Sequence, residues 1–493
     1  MTQVVVAGGG TVGLATAVLL AHHGVPAQVF ESREAPSVHP RALGLSPRTL
    51  EIFREVGLGK ALDQAAVQSA LPWKADARTV AEIDRDHIPP RPAMFDATVA
   101  EQPRGHYPQD RIDAVLLPAA RERGATVEFG VAVTDITQDD AAVDVTLSDG
   151  RVVRADYLIG ADGLRSTVRE RLGIATTGPG RIGEPTMNIL FEADLVGYFG
   201  SMPTMTEIGH PDVQGMLLAV GEHRWVIHVP TAHIGDIGAT IRTALGAEVP
   251  VEIIGAVEWR ATVLMAEEFR CGRVFLAGDA ARSVSPLGAF GLNTGLADAH
   301  NLAWKIAMVL SGQAGPALLD SYHDERHAVA EFVTRQALLR WENPRLHWDP
   351  RAVAERAAVS AWNAPMVTMG YRYDSGAIIG PVPPVPSTED VVASLDGAPG
   401  SRLPHRWLDE PELSTLDVNE SGFAVLTGPA GRHWRTAAGD LGVRAVELPA
   451  DWPASVGISA EGALLVRPDG FIAWRTTGPA GDLAEVYATV TGR

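Results

Sequence analysis

The first thirty residues contain the stretch that decides the fold. Residues 3–13 read Gln-Val-Val-Val-Ala-Gly-Gly-Gly-Thr-Val-Gly, a short apolar run followed at once by the pattern Gly-x-Gly-x-x-Gly at 8–13. Helical spacing then covers 12–23, Gly24 ends it, and a second apolar run covers 27–30. This order predicts a strand, a helix and a parallel strand, which together form a βαβ unit.

The glycines and the carboxylate that follows them predict a ligand for this unit. Glycine lets the chain turn tightly and lets backbone amides approach a pyrophosphate at the helix start. Glu31 ends the second strand, eighteen residues after Gly13, where a carboxylate can accept hydrogen bonds from both ribose hydroxyls. The pattern recurs at 178–183, but no strand precedes that copy and Pro185 blocks a helix, so we predict a loop there. The first copy predicts an adenine dinucleotide and leaves FAD and NAD open.

Composition and charge narrow the classes of function. The 493 residues include 41 Lys and Arg against 60 Asp and Glu, and the net charge of -19 argues against a basic nucleic-acid binder. The single cysteine, Cys271, excludes an intrachain disulfide and a cysteine-rich zinc site, so redox chemistry requires a bound cofactor. We expect no metal site. No targeting segment or membrane-length apolar run is found, and we expect a cytoplasmic protein.

Two further segments each place a carboxylate after an apolar strand pattern. Residues 157–166 read Tyr-Leu-Ile-Gly-Ala-Asp-Gly-Leu-Arg-Ser, and residues 273–281 read Arg-Val-Phe-Leu-Ala-Gly-Asp-Ala-Ala. A glycine-rich stretch at 285–295 follows the second of them. The carboxyl ends of strands form the usual ligand edge of an open α/β sheet, so Asp162 and Asp279 are expected at that edge.

These three segments together resemble the FAD-dependent aromatic hydroxylases of the p-hydroxybenzoate hydroxylase family, the group A flavoprotein monooxygenases. The branch that acts on polyketides and other natural-product aromatics, including antibiotic biosynthesis, is the most similar. Residues 39–53 and 109–111 are also similar to that family, and 399–402 and 465–470 are similar to its thioredoxin-like C-terminal domain. The resemblance therefore extends over nearly the whole chain.

The resemblance implies FAD as the cofactor and assigns residues to it. The ADP half is expected at the glycine-rich turn with Glu31 and Arg33. Arg41, Gln109 and Arg111 are expected to line the pyrophosphate and flavin. The backbone near Gly291 is expected to contact the isoalloxazine. The expected cofactor-binding residues are Gly8, Gly10, Val12, Gly13, Glu31, Arg33, Arg41, Gln109, Arg111, Asp162, Asp279, Pro286, Gly288, Gly291, Leu292 and Asn293. A helix that begins near Gly291 would direct its free amides at the negative charge of reduced flavin.

The fold class implied is α/β: a Rossmann-type FAD-binding domain, an antiparallel-sheet substrate domain and a C-terminal thioredoxin-like α/β domain. We expect the first part of the FAD-binding domain at 1–180, with a segment near 70–105 contributing to the substrate domain. The antiparallel substrate domain is expected at 181–270, and the second part of the FAD-binding domain with its helices at 271–375. A proline-rich linker and the C-terminal domain are expected at 376–493.

The activity implied is hydroxylation of an aromatic substrate, such as a polyketide or polycyclic phenol, with NADPH or NADH and O2, through a flavin C4a-hydroperoxide. Baeyer-Villiger oxygenation and a flavin-binding module without turnover remain open alternatives. His228 and Tyr198 are the candidate catalytic residues, and Trp225 and Phe290 the candidate substrate contacts. We expect an aromatic small molecule as partner, neither nucleic acid nor membrane, and a homodimer as the candidate assembly.

Overall fold

The computed structural model describes residues 2–68, 73–88, 100, 102–407 and 413–493. The expected contribution of the 70–105 segment therefore falls partly outside the described residues, at 70–72, 89–99 and 101. Within the described part, Lys74–Ala77 does join the antiparallel sheet, as the edge strand next to Met205–His210.

The N-terminal residues form a parallel sheet because their β-branched strands are buried on both faces. Val4, Val5 and Val6 have no exposed surface, which is typical of a central strand covered by helices on both sides. The sheet runs in the order Arg270–Cys271, Val274–Leu276, Val152–Gly160, Thr2–Ala7, Ala27–Glu31 and Thr126–Phe129. The hairpin of Val133–Gln138 and Val143–Leu147 extends it antiparallel to Val152–Gly160. This order confirms the predicted βαβ start, with Thr2–Ala7 at the centre.

Helices cover this sheet and continue beyond it. Thr11–His22 packs against both Gln109–Glu122 and Phe290–Leu310, so the first and the distant later segments share one core. The α-helices of this part are Thr11–His22, Pro47–Glu55, Gly59–Ala65, Gln109–Glu122, Thr167–Arg171, Phe290–Leu310, Asp320–Glu342, Arg345–Trp348, Val353–Ala358 and Ala364–Met369. Among the helices of the described residues, none combines the length and the apolar character that crossing a bilayer demands.

A six-stranded sheet, here called the antiparallel sheet, lies beside this unit. Its order is Glu252–Trp259, Thr186–Glu192, Arg224–Pro230, Val213–Ala219, Met205–His210 and Lys74–Ala77. Helix Ile237–Leu245 packs on one face, where apolar residues of alternate strand positions form a separate core. The other face meets Leu43 of the N-terminal unit. Helix Leu195–Phe199 and the strand pair Val67–Gln68 and Gly105–His106 complete this region.

The second Gly-x-Gly-x-x-Gly copy differs from its expectation. Thr176–Arg181 is a strand rather than a loop, because it pairs with Thr262–Ala266, which in turn pairs with Arg282–Ser283. Its register shifts between Thr177 and Gly180. The prediction that no phosphate-binding helix follows it agrees with the structure, since the next strand begins at Thr186.

The C-terminal part is a four-stranded sheet in the order Arg444–Glu447, Ala424–Thr427, Ala463–Val466 and Ile472–Thr476. The first two strands are parallel, the other pairs are antiparallel, and the helices are Arg432–Asp440 and Leu483–Val490. The proline-rich stretch before it, expected as a linker, is packed: Ala377 and Ala398 are buried, and 391–394 form a short helix.

Apolar packing attaches the C-terminal sheet to the N-terminal unit. Trp304 and Met308 of helix Phe290–Leu310 share a core with Phe423, Trp434 and Trp474. The rings of Trp304 and Phe423 meet edge to face at 5.7 Å. Apolar side chains of the C-terminal part therefore pack on the N-terminal unit.

Buried charges cross the same contact. The Arg467 guanidinium donates to Glu325 of helix Asp320–Glu342 at 2.9 Å and to Asp469 at 3.0 Å. Lys305 also donates to Glu325, at 2.8 Å, and the side chains of all four residues are at most 1% exposed. Arg402 donates in the same way to Glu51 of helix Pro47–Glu55, at 3.0 Å. These ion pairs fix how the C-terminal sheet sits on the helices.

Candidate cofactor and substrate site

The glycine-rich turn leaves no room for side chains at two of its positions. A Cβ on Gly13 would lie 1.8 Å from the Gly8 carbonyl oxygen, and a Cβ on Gly8 would lie 2.4 Å from the Ala161 carbonyl oxygen. Gly8 also has a φ of 103°, in the left-handed region that side chains disfavour. Helix Thr11–His22 follows without a capping side chain, so its first amides remain available to an anionic ligand.

Glu31 is buried and held beside this turn. Its carboxylate accepts a hydrogen bond from the Gly9 amide at 2.7 Å and two from Arg33, from the backbone amide and from Nε, both at 2.9 Å. Burial alone would raise the pKa of Glu31, but the bonds from Arg33 and Gly9 outweigh it and lower the pKa. Glu31 is therefore an ionised acceptor at the carboxyl end of strand Ala27–Glu31.

A hydrogen-bonded chain links the turn to helix Gln109–Glu122. The Gln109 side chain donates to the Thr11 hydroxyl at 2.9 Å, and that hydroxyl donates to Asp113. Burial raises the pKa of Asp113 to about 6. Neither Thr11 nor Asp113 was selected from the sequence, although Asp113 stands one helical turn after Gln109 on the same face.

The two arginines expected near the pyrophosphate have different surroundings. Arg41 is exposed, and it lies near enough to Asp113 and Asp279 to act electrostatically on both. Arg111 donates to the Ala65 carbonyl oxygen at 3.3 Å and lies against Gly221, which follows the antiparallel sheet strand Val213–Ala219. Arg111 therefore marks the contact between the two sheets.

The two aspartates at the strand ends differ in their surroundings. Asp162 accepts from Ser166 at 2.5 Å and from the Val168 amide at 3.1 Å, so its carboxylate holds the start of helix Thr167–Arg171. Asp279 is open to solvent, yet desolvation by the surrounding protein raises its pKa. The Asp279 carboxylate is therefore accessible to a ligand.

Helix Phe290–Leu310 begins with free amides. No side chain caps it, and Ala289 before it has a left-handed φ of 54°. The amides of Gly291 and Leu292 therefore point out of the first turn, at the positive end of the helix dipole. Pro286 in the preceding loop is exposed, and Gly288 has a φ of 101°.

Asn293 fixes this helix start rather than offering its side chain to a ligand. Its Oδ1 accepts from the Ser46 amide and the Thr49 hydroxyl, each at 2.7 Å. Its Nδ2 donates to the Gly44 carbonyl oxygen at 3.1 Å and to that of Ala289 at 2.8 Å. The side chain thus holds segment 44–49 against the helix.

Phe290, expected against substrate, is a core residue. It is 1% exposed and packs among Val329, Val333 and Ala337, with the Arg340 guanidinium 5.0 Å from its ring. A Cβ on Gly288 would meet this ring at 2.3 Å. The Phe290 ring therefore packs against Gly288 in the loop that precedes the helix.

The remaining candidates, Trp225, His228 and Tyr198, lie in different places on the antiparallel sheet and its helix. Trp225 is 2% exposed, lies in the core beneath helix Ile237–Leu245 and donates from Nε1 to the Ala193 carbonyl oxygen at 3.0 Å. His228, three residues on, lies on the opposite face, beside Asn188 in register. Tyr198 is 55% exposed on helix Leu195–Phe199. The structure brings His228 to the face toward the N-terminal unit and does not bring Trp225 or Tyr198 there.

The same face carries two polar residues that the sequence analysis did not select, Asn188 and Trp259. An asparagine within the apolar run 187–191 was the signal that could have identified the first of them. Met205 and Met216 share the face with Leu190 and Leu218. Within the part of the chain that the structure describes, no three His, Cys, Asp or Glu side chains gather as a metal site would require.

Comparison with known proteins agrees with this geometry. The family model described as "FAD binding domain" matches residues 1–337, and the one described as "Aromatic-ring hydroxylase, C-terminal" matches residues 396–493. A tetracenomycin B2 monooxygenase-dioxygenase of Streptomyces olivaceus is 35% identical over 99% of this chain and 98% of its own. An aklavinone 12-hydroxylase of Streptomyces purpurascens is 35% identical over 100% of this chain and 98% of its own.

A solved structure shows the same arrangement over the full length. The crystal structure of an aklavinone-11 hydroxylase, in a ternary complex with FAD and aklavinone, superposes with a TM-score of 0.86 at 33% identity. The match covers 100% of this chain and 99% of that one. The fold described above is therefore the fold of that protein along its whole length.

Proposed function

The chain belongs to the FAD-binding aromatic-ring hydroxylases, a family of flavin-dependent monooxygenases, and we propose that it hydroxylates a polycyclic aromatic substrate of the polyketide type. NAD(P)H and O2 are the co-substrates typical of this family. The observation that carries the proposal is the full-length similarity to enzymes whose names specify tetracenomycin and aklavinone. The antiparallel sheet supports it, because the face that it turns toward the N-terminal unit is largely apolar.

The residues of the glycine-rich turn fit FAD. Added Cβ atoms on Gly8 and Gly13 would clash with backbone, so the turn is built for close backbone approach. We assign the ADP half to this turn with Glu31, and the pyrophosphate region to the exposed side chains of Arg41 and Asp279. The remaining expected residues fit as supports: Arg33 holds Glu31, Gln109 holds Thr11, and Asp162 holds the segment against which Gly8 packs.

FAD, when bound, supplies the redox chemistry that activates O2. The protein itself contributes charge stabilisation, because the free amides at Gly291 and Leu292 favour negative charge on a neighbouring ring. The apolar side chains of the antiparallel sheet, Leu190, Leu218 and Met216, exclude water from the space where substrate and cofactor meet. These residues bind and orient the reactants.

His228 suits a hydrogen-bonding role toward the substrate. Burial lowers the pKa of His228 to about 4, so the imidazole is neutral at physiological pH. A neutral imidazole can accept a hydrogen bond from a phenol hydroxyl or donate one to a carbonyl oxygen. We assign His228 this role. Tyr198 is exposed, and no observation places it against substrate.

The finer domain assignment follows the sheet orders. We propose a Rossmann-type FAD-binding domain built from 1–180 and 271–375, with a substrate domain at 181–270 to which the segment near 70–105 contributes strand Lys74–Ala77. The C-terminal sheet is assigned a thioredoxin-like fold, because its parallel pair is followed by an antiparallel hairpin next to the first strand. With Cys271 as the only cysteine, this domain cannot exchange disulfides and is structural.

Substrate-stimulated cofactor oxidation tests the proposed function. With purified FAD-loaded protein, a panel of hydroxylated naphthoquinones and anthraquinones is expected to accelerate NAD(P)H oxidation, with one product molecule formed for each NAD(P)H consumed. A simple benzoate serves as the control compound. If no compound of the panel stimulates NAD(P)H oxidation in protein that holds FAD, the proposal is refuted and a flavin-binding module without turnover is favoured.

A further inference from the structure

One face of the antiparallel sheet carries three buried polar groups, Asn188 Oδ1, His228 Nδ1 and Trp259 Nε1. The last two have no hydrogen-bond partner, and the side chain of Asn188 meets that of His39. Asn188 lies directly opposite His228 across two paired strands, and the rings of His228 and Trp259 meet edge to face at 6.1 Å. We call Asn188, His228 and Trp259 the polar row.

The polar row borders a part of the sheet face that is open to solvent. Val257 pairs with Asn188 and is 49% exposed, and the face continues into Met216, which is partly exposed. Burying polar groups without partners destabilises a fold, and native proteins seldom retain several together without a function. A ligand in this space would supply the missing bonds.

The polar row is uncharged. Burial lowers the pKa of His228 to about 4, so its imidazole is neutral at physiological pH. Asparagine and tryptophan do not ionise, and Trp259 Nε1 is a donor only. Burial also lowers the pKa of His39 beside the row, although its hydrogen bond with Asn188 acts in the opposite direction. The three side chains of the row therefore offer hydrogen bonds and carry no charge of their own.

We propose that the polar row binds a neutral oxygenated edge of the substrate, either a quinone carbonyl or an un-ionised phenol hydroxyl, and discriminates against a carboxylate at that edge. The reason is physical: an ionised carboxylate would lose its water without gaining an opposite charge. This inference rests on the proposed function, because it assigns the substrate class of the same site.

Equilibrium binding to the FAD-loaded protein, without NAD(P)H, tests the polar row. The probes are a neutral dihydroxyanthraquinone and the same ring system bearing a carboxylate, each followed by its perturbation of flavin absorbance. We expect the neutral probe to bind at least about tenfold more tightly. Asn188→Leu, His228→Phe and Trp259→Phe are each expected to weaken the neutral probe by about five- to tenfold, the loss of one hydrogen bond.

A thermal readout separates recognition from a structural role. Since Trp259 Nε1 lacks a partner in the protein, Trp259→Phe should unfold at the same or a higher temperature than the parent protein. Met187→Leu, on the adjacent residue that faces the core beneath, is the matched control and should leave binding unchanged. Lower unfolding temperatures, with binding of the neutral probe unchanged, would overturn the inference.

The outcomes also distinguish the two proposals. Equal binding of both probes, or binding unaffected by all three variants in a protein that hydroxylates the panel, would overturn the polar row alone. If the three variants weaken binding of the neutral probe but the protein hydroxylates no compound of the panel, the binding role of the polar row is supported and the proposed function is refuted.

Discussion

Gly13→Ala is expected to yield protein that is almost free of FAD. The new Cβ would lie 1.8 Å from the Gly8 carbonyl oxygen, which belongs to the backbone and cannot swing away. Helix Thr11–His22 must then move off the turn, and the amides that face the pyrophosphate move with it. Because overpacking of this kind typically costs about 1–3 kcal/mol, the apoprotein should also be less stable. Flavin absorbance per purified chain, together with the unfolding temperature, measures both effects.

Substitutions at two other glycines separate a general loss of stability from a specific loss of FAD binding. Gly59→Ala places its Cβ 3.6 Å from the nearest atom, an ordinary contact, and should keep its FAD. Gly10→Ala finds only the Arg33 guanidinium at 3.8 Å, so the protein should fold normally and lose FAD only through crowding of the pyrophosphate. Bright yellow Gly13→Ala protein with normal stability would refute our placement of the ADP half.

Arg467→Met is expected to destabilise the protein by about 3–5 kcal/mol, because it leaves the buried Asp469 without a cation and Glu325 with Lys305 alone. Arg467 lies between Glu325 and Asp469 with no exposed side-chain surface. Burial alone would raise the pKa of Glu325, but Arg467 and Lys305 hold it well below its usual range. Chemical denaturation with flavin absorbance and tryptophan fluorescence measures the loss.

The pH dependence of this loss has a definite sign. A carboxyl whose pKa is depressed in the folded state stabilises the fold above its unfolded pKa, and that contribution is lost as pH falls. The unfolded value for Glu325 is near 4.5, so the difference between parent and Arg467→Met should be full at pH 7 and shrink below pH 4.5. Arg444→Met removes an exposed pair with Glu420 and should cost less than about 1 kcal/mol. Equal losses in the two variants would contradict the buried-network interpretation.

The cofactor unit could be predicted from the sequence because its signals are local. The order of strand, glycine-rich turn and helix, with Glu31 closing the second strand, needs only neighbours in the chain, and the structure reproduces it. The family model over residues 1–337 confirms FAD as the cofactor, and the relatives confirm a flavin-dependent monooxygenase. The roles of the individual residues remain predictions.

The substrate side could be predicted less well, because it depends on contacts between distant strands. Side chains alternate along a strand, so Trp225 and His228 cannot both face the same space, and the structure assigns Trp225 to the core. Asn188 and Trp259 join His228 only through the pairing of three strands. Phe290 was interpreted from its place in a motif, whereas its burial depends on helix Asp320–Glu342.

The interdomain ion pairs were likewise invisible in the sequence. Arg467 and Glu325 are separated by 142 residues, and no local pattern links them. The packing of Phe423 on Trp304 likewise joins segments that are distant in the chain.

Mass spectrometry of the product formed under isotopically heavy O2 tests the central claim most directly. With FAD-loaded protein, NAD(P)H and the dihydroxyanthraquinone probe, we predict a product that has gained a single oxygen atom, carrying the heavy isotope. An added oxygen that comes from water, or the gain of both atoms of one O2 molecule, would contradict an aromatic monooxygenase.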